Sequence, residues 1–193
     1  MSKATIWAYL KQHTKLSEEA IAGVMGNFEA ESNCESCRVQ GDFSTDRHIS
    51  KEYARQVNSG EISIAQFQHD SKGFGLAQWT FHSRKNALLN YCKSIGAGIE
   101  DEEAQLSFFL SEMESDFVGV WNQLLRANDI GVAADLVCRY YECPAVNNVA
   151  ARTGYGKEIY NQFHGTGGNQ GNQDKVSKVI ELLEQILKVL RGE

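Results

Sequence analysis

Apolar residues recur along this chain mostly three and four positions apart, the period of one buried helical face. Residues 3–12 (KATIWAYLKQ) put Ile6, Trp7 and Leu10 on one side and predict a first helix. Ser17 is a good N-cap for a second, with Glu18 and Glu19 suited to the positive end of its dipole. Ile21, Val24, Met25 and Phe28 then form its core-facing stripe. Residues 33–47 are polar and irregular. KEYARQVNSG and ISIAQFQHD read as two short helices, followed by the glycine-punctuated SKGFGLAQWT. Helical periodicity returns in HSRKNALLNYCKSIG, EEAQLSFFLSEME, FVGVWNQLLRAN, IGVAADLVCRYYE and NNVAARTGYGKEIYNQF. The pattern predicts a mainly α domain over 1–164, a linker (GTGGNQGNQ) over 165–173 and an amphipathic helix over 174–193.

That last helix carries Val176, Ile180, Leu183, Leu187 and Leu190 in a heptad-like 4-3-4-3 spacing. Val179, Leu182, Ile186 and Val189 widen its apolar face to about half of the circumference, more than a dimeric coiled coil buries. Its balanced charges are unlike the basic face of a membrane-disrupting helix. A flexible tether argues for self-association, so a homo-oligomer held through residues 174–191 is expected, trimer or tetramer rather than dimer.

Composition narrows the function classes. An apolar share of 42% and a charged share of 23% are those of an ordinary soluble globular protein. A net charge of −6 argues against nucleic acid as partner. No apolar run approaches the roughly 18–20 residues of a membrane span. MSKATIWAYLKQHTK lacks the apolar core of a signal peptide, so work outside the producing cell needs another route out. Cys34 and Cys37 have CxxC spacing, but Cys138 and Cys143 are five apart with no companion histidine, so reduced thiols are expected rather than a zinc site. The five histidines show no HxxxH or HxH spacing, and neither a metal nor a cofactor is expected.

Two stretches carry candidate chemistry. AGVMGNFEAESN runs as an apolar helix into Glu29 and Glu31. Glu31 projects within about 20° of Val24, near the buried edge, while Glu29 lies on the opposite flank of the stripe. Phase alone does not choose between them. A carboxyl group half-buried among apolar neighbours has its charged form disfavoured, as a general acid near neutral pH requires. In GFGLAQWT, Gly73 and Gly75 allow a tight backbone around Phe74. Gln78 and Trp79 pair an amide with an aromatic face, a combination that suits sugars, although Trp79 alone also reads as core.

GNFEAES (26–32), HDSKGFGLAQWTFHSRKNALLNYCKS (69–94) and YECPAVNNVAARTGYGKEIY (141–160) resemble the phage-tail-type lysozyme domain. The Glu-Ser and G-F-G-L-x-Q elements are more distantly similar to goose-type lysozymes and lytic transglycosylases. The resemblance spans about residues 5–163. It implies an α+β lysozyme-like, mainly helical fold of two lobes, with a small irregular or β region by the cleft. Glu31 matches the catalytic position, because Ser32 follows it and Gly26-Asn27 precede it, and Glu29 becomes a solvent-side neighbour. The implied substrate is bacterial peptidoglycan, cut at the β-1,4 bond between N-acetylmuramic acid and N-acetylglucosamine. Ser32, Phe74, Gly75, Gln78, Trp79, Tyr141 and Tyr155 are the expected substrate-binding residues, with Tyr155 equally readable as core. Arg152 and Glu142 are expected to brace the closing helices.

A hydrolase also needs a water-activating group, and inverting enzymes use a second carboxylate for it. Asp70 is the first candidate, with Asp42 and Asp46 as rivals, and Thr80 stands where a relative carries a carboxylate. If none reaches the cleft, Glu31 alone gives the 1,6-anhydro product of a lytic transglycosylase. A wall-binding or structural tail module without catalysis is the reading from another class. The chain is expected to be made in a host cytoplasm and to act on the wall, as an endolysin rather than a virion-tail component.

Overall fold

The computed structural model describes residues 3–165. The remainder of the expected linker, the C-terminal helix and the oligomer built on it lie outside the described residues.

The helix α2 (Glu18–Ser32) is the post around which the others assemble, and every residue from Ala20 to Phe28 is buried. Ser17 caps it by accepting from the Ala20 amide at 3.0 Å. Such a helix cannot show the one-sided stripe of a surface helix, because neighbours cover it all round. The helix α1 (Lys3–His13) lays Ile6, Trp7 and Leu10 into the core beside it. On other flanks run α8 (Ile130–Val137) and α9 (Val149–Phe163). A Cβ at Gly23 would stand 2.5 Å from the Ala133 Cβ, and one at Gly26 only 2.3 Å from the Arg152 carbonyl oxygen. Both glycines are therefore the condition for helices this close.

The other side of the molecule holds α3 (His48–Ser59), α4 (Ile64–His69) and α5 (His82–Ser94), centred on the rings of Tyr53, Phe67 and Phe74. The helices α6 (Glu102–Ser115) and α7 (Val118–Leu124) complete the core. The irregular segment of the sequence is largely a loop, and α3 starts at His48, three residues before the predicted Lys51. The expected β region is no more than isolated bridges among the described residues, Phe74 pairing with Val39 and with Trp79. The stretch read as one helix over 130–142 changes type midway: α8 passes into a π-helical turn at Cys138–Glu142. Cys143, in the left-handed region at φ 48°, ends that turn, and its N–H donates to the Cys138 carbonyl at 2.9 Å.

Candidate active site

Glu31 occupies the last turn of α2. Asn33 and Cys34, at φ 62° and 56°, turn the chain away, and their N–H groups donate to the carbonyls of Glu29 (3.0 Å) and Phe28 (3.2 Å). The carbonyl end of a helix is electrically negative and does not favour an anion. Arg152 of α9 supplies the compensation: its Nη2 donates to Glu31 Oε1 at 2.6 Å. The same guanidinium is anchored through Nη1 on Asn27 Oδ1 at 3.0 Å. Asn27 in turn donates to the carbonyls of Gly23 (2.9 Å) and Ala134 (3.2 Å). Each element of G-N-x-x-x-E-S thus has a physical role. Gly26 lets α9 approach, Asn27 orients the arginine, and Ser32 ties the helix end to the next segment. Ser32 Oγ lies 2.9 Å from the carbonyl oxygens of both Phe28 and Leu76. At 1% exposure its hydroxyl is engaged by the backbone rather than turned to solvent.

The G-F-G-L-x-Q segment is held by Gln105 of α6. Its Oε1 accepts from the Leu76 amide (2.9 Å), and its Nε2 donates to the carbonyls of Ser36 (2.8 Å) and Ile99 (2.6 Å). Gly75, at φ +78°, is needed because a Cβ there would meet the Gln105 amide at 2.5 Å. Gln78 lines the cleft, with its Nε2 3.0 Å from the carbonyls of Arg38 and Gly75. The expected aromatic platforms stand elsewhere. Phe74, Trp79 and Tyr141 are core residues, at most 2% exposed. The reason is Glu112 of α6, a buried acceptor behind the cleft. It takes the Trp79 indole N–H (2.8 Å), the Tyr141 hydroxyl (2.7 Å) and a two-pronged bond from Arg84 (both 2.8 Å). The polar handles of both rings are thereby satisfied inside, and the rings make edge-type contacts with Phe108, Phe109 and Phe117.

Two concavities meet at Glu31. One, of about 410 Å³, is lined by Gln40, Gln78, Thr80, Phe81, Arg84 and Glu142 among others. The other, of about 440 Å³, has Asn33, Arg38, Phe43, Thr45 and Arg47 in its wall. Each contains an exposed aromatic that sequence reasoning passed over: Phe81 (69%) and Phe43 (88%). An aromatic in a polar loop was the available signal for Phe43. Tyr155 is exposed on α9, one turn beyond Arg152, and lines neither concavity.

The other candidate carboxylates lie apart. Asp70 does not line the cleft with Glu31; it faces a concavity of about 890 Å³ between α3 and α4, together with Tyr53, His69 and Lys72. It is paired with Lys85 and accepts from the Tyr53 hydroxyl. Burial alone would raise its pKa, but the Lys85 and Tyr53 hydrogen bonds outweigh this and lower it. Asp42 is 1% exposed, and both its oxygens are occupied by Ser44 and Ser50. Asp46 is exposed beside His48. Glu29 differs from expectation as well. Its side chain is 13% exposed against 20% for Glu31, because α1 covers that flank and Lys3 Nζ reaches it at 2.7 Å. The five cysteines are free thiols, and burial pushes the Cys34 thiol far up.

Among the described residues no helix is long and apolar enough to cross a membrane. No curated protein matches the chain. A family model described as phage tail lysozyme does match, over residues 2–163. That span takes in the Glu31 helix, the G-F-G-L-x-Q segment and the closing helix with Arg152, and so the chain belongs to the phage tail lysozyme family, whose action is lysis of peptidoglycan.

Proposed function

We propose that this chain is an N-acetylmuramidase that cuts the β-1,4 bond between N-acetylmuramic acid and N-acetylglucosamine in bacterial walls, with Glu31 as general acid. The observation that carries the reading is the position of Glu31 where two concavities meet, at the end of a helix fixed on all sides. A glycan lying through both would bring a glycosidic oxygen to Glu31. Phe81 and Phe43 offer ring faces to sugars on either side, and the amides of Gln40 and Gln78 suit hydroxyl and N-acetyl groups. Arg152 fixes the orientation of the carboxyl group.

Glu31→Gln keeps the shape but cannot give a proton to the leaving oxygen. Clearing of purified Gram-positive walls by the folded variant is expected to drop by about 10²- to 10⁴-fold. Substantial clearing by a folded Glu31→Gln protein would overturn the assignment.

One observation favours a second reading, a lytic transglycosylase: Asp70 is held by Lys85 outside the cleft that contains Glu31. Mass spectrometry of the released muropeptides separates the two. Reducing-end muramic acid is the hydrolase product, and 1,6-anhydro ends are the transglycosylase product.

A further inference from the structure

A second carboxyl-bearing residue, Glu142, lines the concavity of Gln78 and Phe81 together with Glu31, and general acid catalysis by Glu31 alone makes no use of it. It is the last residue of the π-helical turn, a rare form that often marks functional positions in helical proteins. Its Oε1 is shielded from solvent and finds no hydrogen-bond donor among the described residues. The nearby guanidinium groups are engaged elsewhere. Arg84 grips Glu112 with two bonds, and Arg152 holds Asn27 and Glu31, with its own Nε left without an acceptor among the described residues. A shielded carboxylate oxygen without a donor is costly, and the neutral acid costs far less.

We propose that Glu142 is the second carboxylate of this reaction: it stores the proton that Glu31 passes to the glycosidic oxygen, and recovers one from the attacking water. The proposal rests on the Glu31 reading above. The groups that act on Glu142 come from four helices: Glu31 of α2, Arg84 of α5, Glu112 of α6 and Arg152 of α9. Burial first, and then the Glu31 charge, push it well above the ordinary carboxylate range, against the opposing pull of Arg84 and Arg152, while Glu112 adds to the push. Glu31 and Glu142 line one concavity, and Arg152 bonds Glu31 while its charge also pulls on Glu142.

The steps balance. Glu142 in its acid form gives its proton to the Glu31 carboxylate. Glu31 passes it to the bridging oxygen as the C1–O bond breaks, and the bonding pair leaves with that oxygen. Water forms the new C1–O bond, and its proton goes to the Glu142 carboxylate. One water is consumed, and both residues end as they began.

The test compares wild type, Glu142→Gln and Glu31→Gln on purified walls across pH, with folding followed by circular dichroism. Glu142→Gln is expected to lower the lysis rate about 10- to 100-fold at neutral pH, and to move the alkaline limb of the profile about one unit or more toward acid. A bracing role alone would scale the rate equally at every pH, and an unmoved profile overturns the proposal. Infrared spectroscopy of the wild type near pH 7 gives a readout independent of lysis and of the variant's stability. The carbonyl stretch of a protonated carboxyl group is expected there, and its absence also overturns the proposal. Lysis by folded Glu31→Gln would remove the underlying reading. A dead Glu31→Gln beside a Glu142→Gln with wild-type profile would remove this proposal alone.

Discussion

Two acid–cation clusters, one around Lys85 and one around Arg152, differ in how completely their atoms are satisfied. Around Lys85, which is fully buried, Asp70, the Tyr53 hydroxyl and the Lys72 carbonyl all point at the ammonium group, and the ring of Phe67 lies 4.3 Å from it. Asp70 accepts besides from the Lys72 amide at 2.9 Å. Around Arg152, one guanidinium bonds Asn27 and the carboxylate of Glu31 but not that of Glu142, leaving Glu142 Oε1 and its own Nε without partners among the described residues. A closed network of this kind fixes structure. An open one leaves polar atoms whose cost asks for a partner, a proton or a ligand.

The sharpest break between the clusters is on lysis. Where Glu31→Gln removes it, Asp70→Asn is expected to leave the rate per folded molecule within about threefold, since Asp70 is held by Lys85 and Tyr53 and does not line the concavities at Glu31. Its effect falls on stability instead. Losing the anion beside fully buried Lys85, whose burial already lowers its pKa, is expected to cost about 2–3 kcal/mol in denaturant unfolding at pH 7. The figure is below that of a wholly buried pair because a fifth (20%) of the Asp70 side chain remains in water. A stable Asp70→Asn protein without lysis would put Asp70 back into the reaction.

Asp42 provides a smaller test, with a sign fixed by pH. Burial works against its charge, but the hydrogen bonds from Ser44 and Ser50 win, and its pKa is lowered in the folded protein. A carboxylate depressed on folding stabilises above its unfolded value, about 3.9, and loses that contribution as acid takes it toward the folded value. Asp42→Asn is therefore expected to lower the thermal midpoint at neutral pH, by an amount that shrinks below about pH 4. A gap that stays constant down to pH 3 would show that the loop depends on shape rather than charge.

Most helices were legible in the sequence because their apolar spacing and caps, such as Ser17 before Glu18 and Glu19, are local features. Glu31 was legible through its neighbours: Gly26, Asn27 and Ser32 each make the contact that places it. What failed was long-range. That Glu112 would draw Trp79 and Tyr141 inward depends on a helix some thirty residues from either. That Lys85 would occupy Asp70, or α1 cover Glu29, is decided by packing that no periodicity encodes. Nor does spacing distinguish a π turn from the α-helix it continues, so Glu142 read as a brace.

Glu29 gives the smallest expected effect and the closest control, two residues from Glu31 on the same helix. Its partner is Lys3, a cation of α1 whose side chain is 37% exposed, and its Oε2 is buried without a donor among the described residues. Glu29→Gln removes an ion pair that solvent already screens, worth about 0–1 kcal/mol. It also removes a shielded charge that lacks a full set of partners, which offsets part of that loss. The side chain belongs to the wall of the concavity that holds Phe43, but its carboxyl group bonds Lys3 of α1, whereas Arg152 bonds Glu31. Wall lysis is therefore expected to stay within about twofold of wild type, with unfolding free energy within about 1 kcal/mol. If Glu29→Gln instead lost lysis while Glu31→Gln kept it, the helix would be presenting its other carboxylate to the glycan.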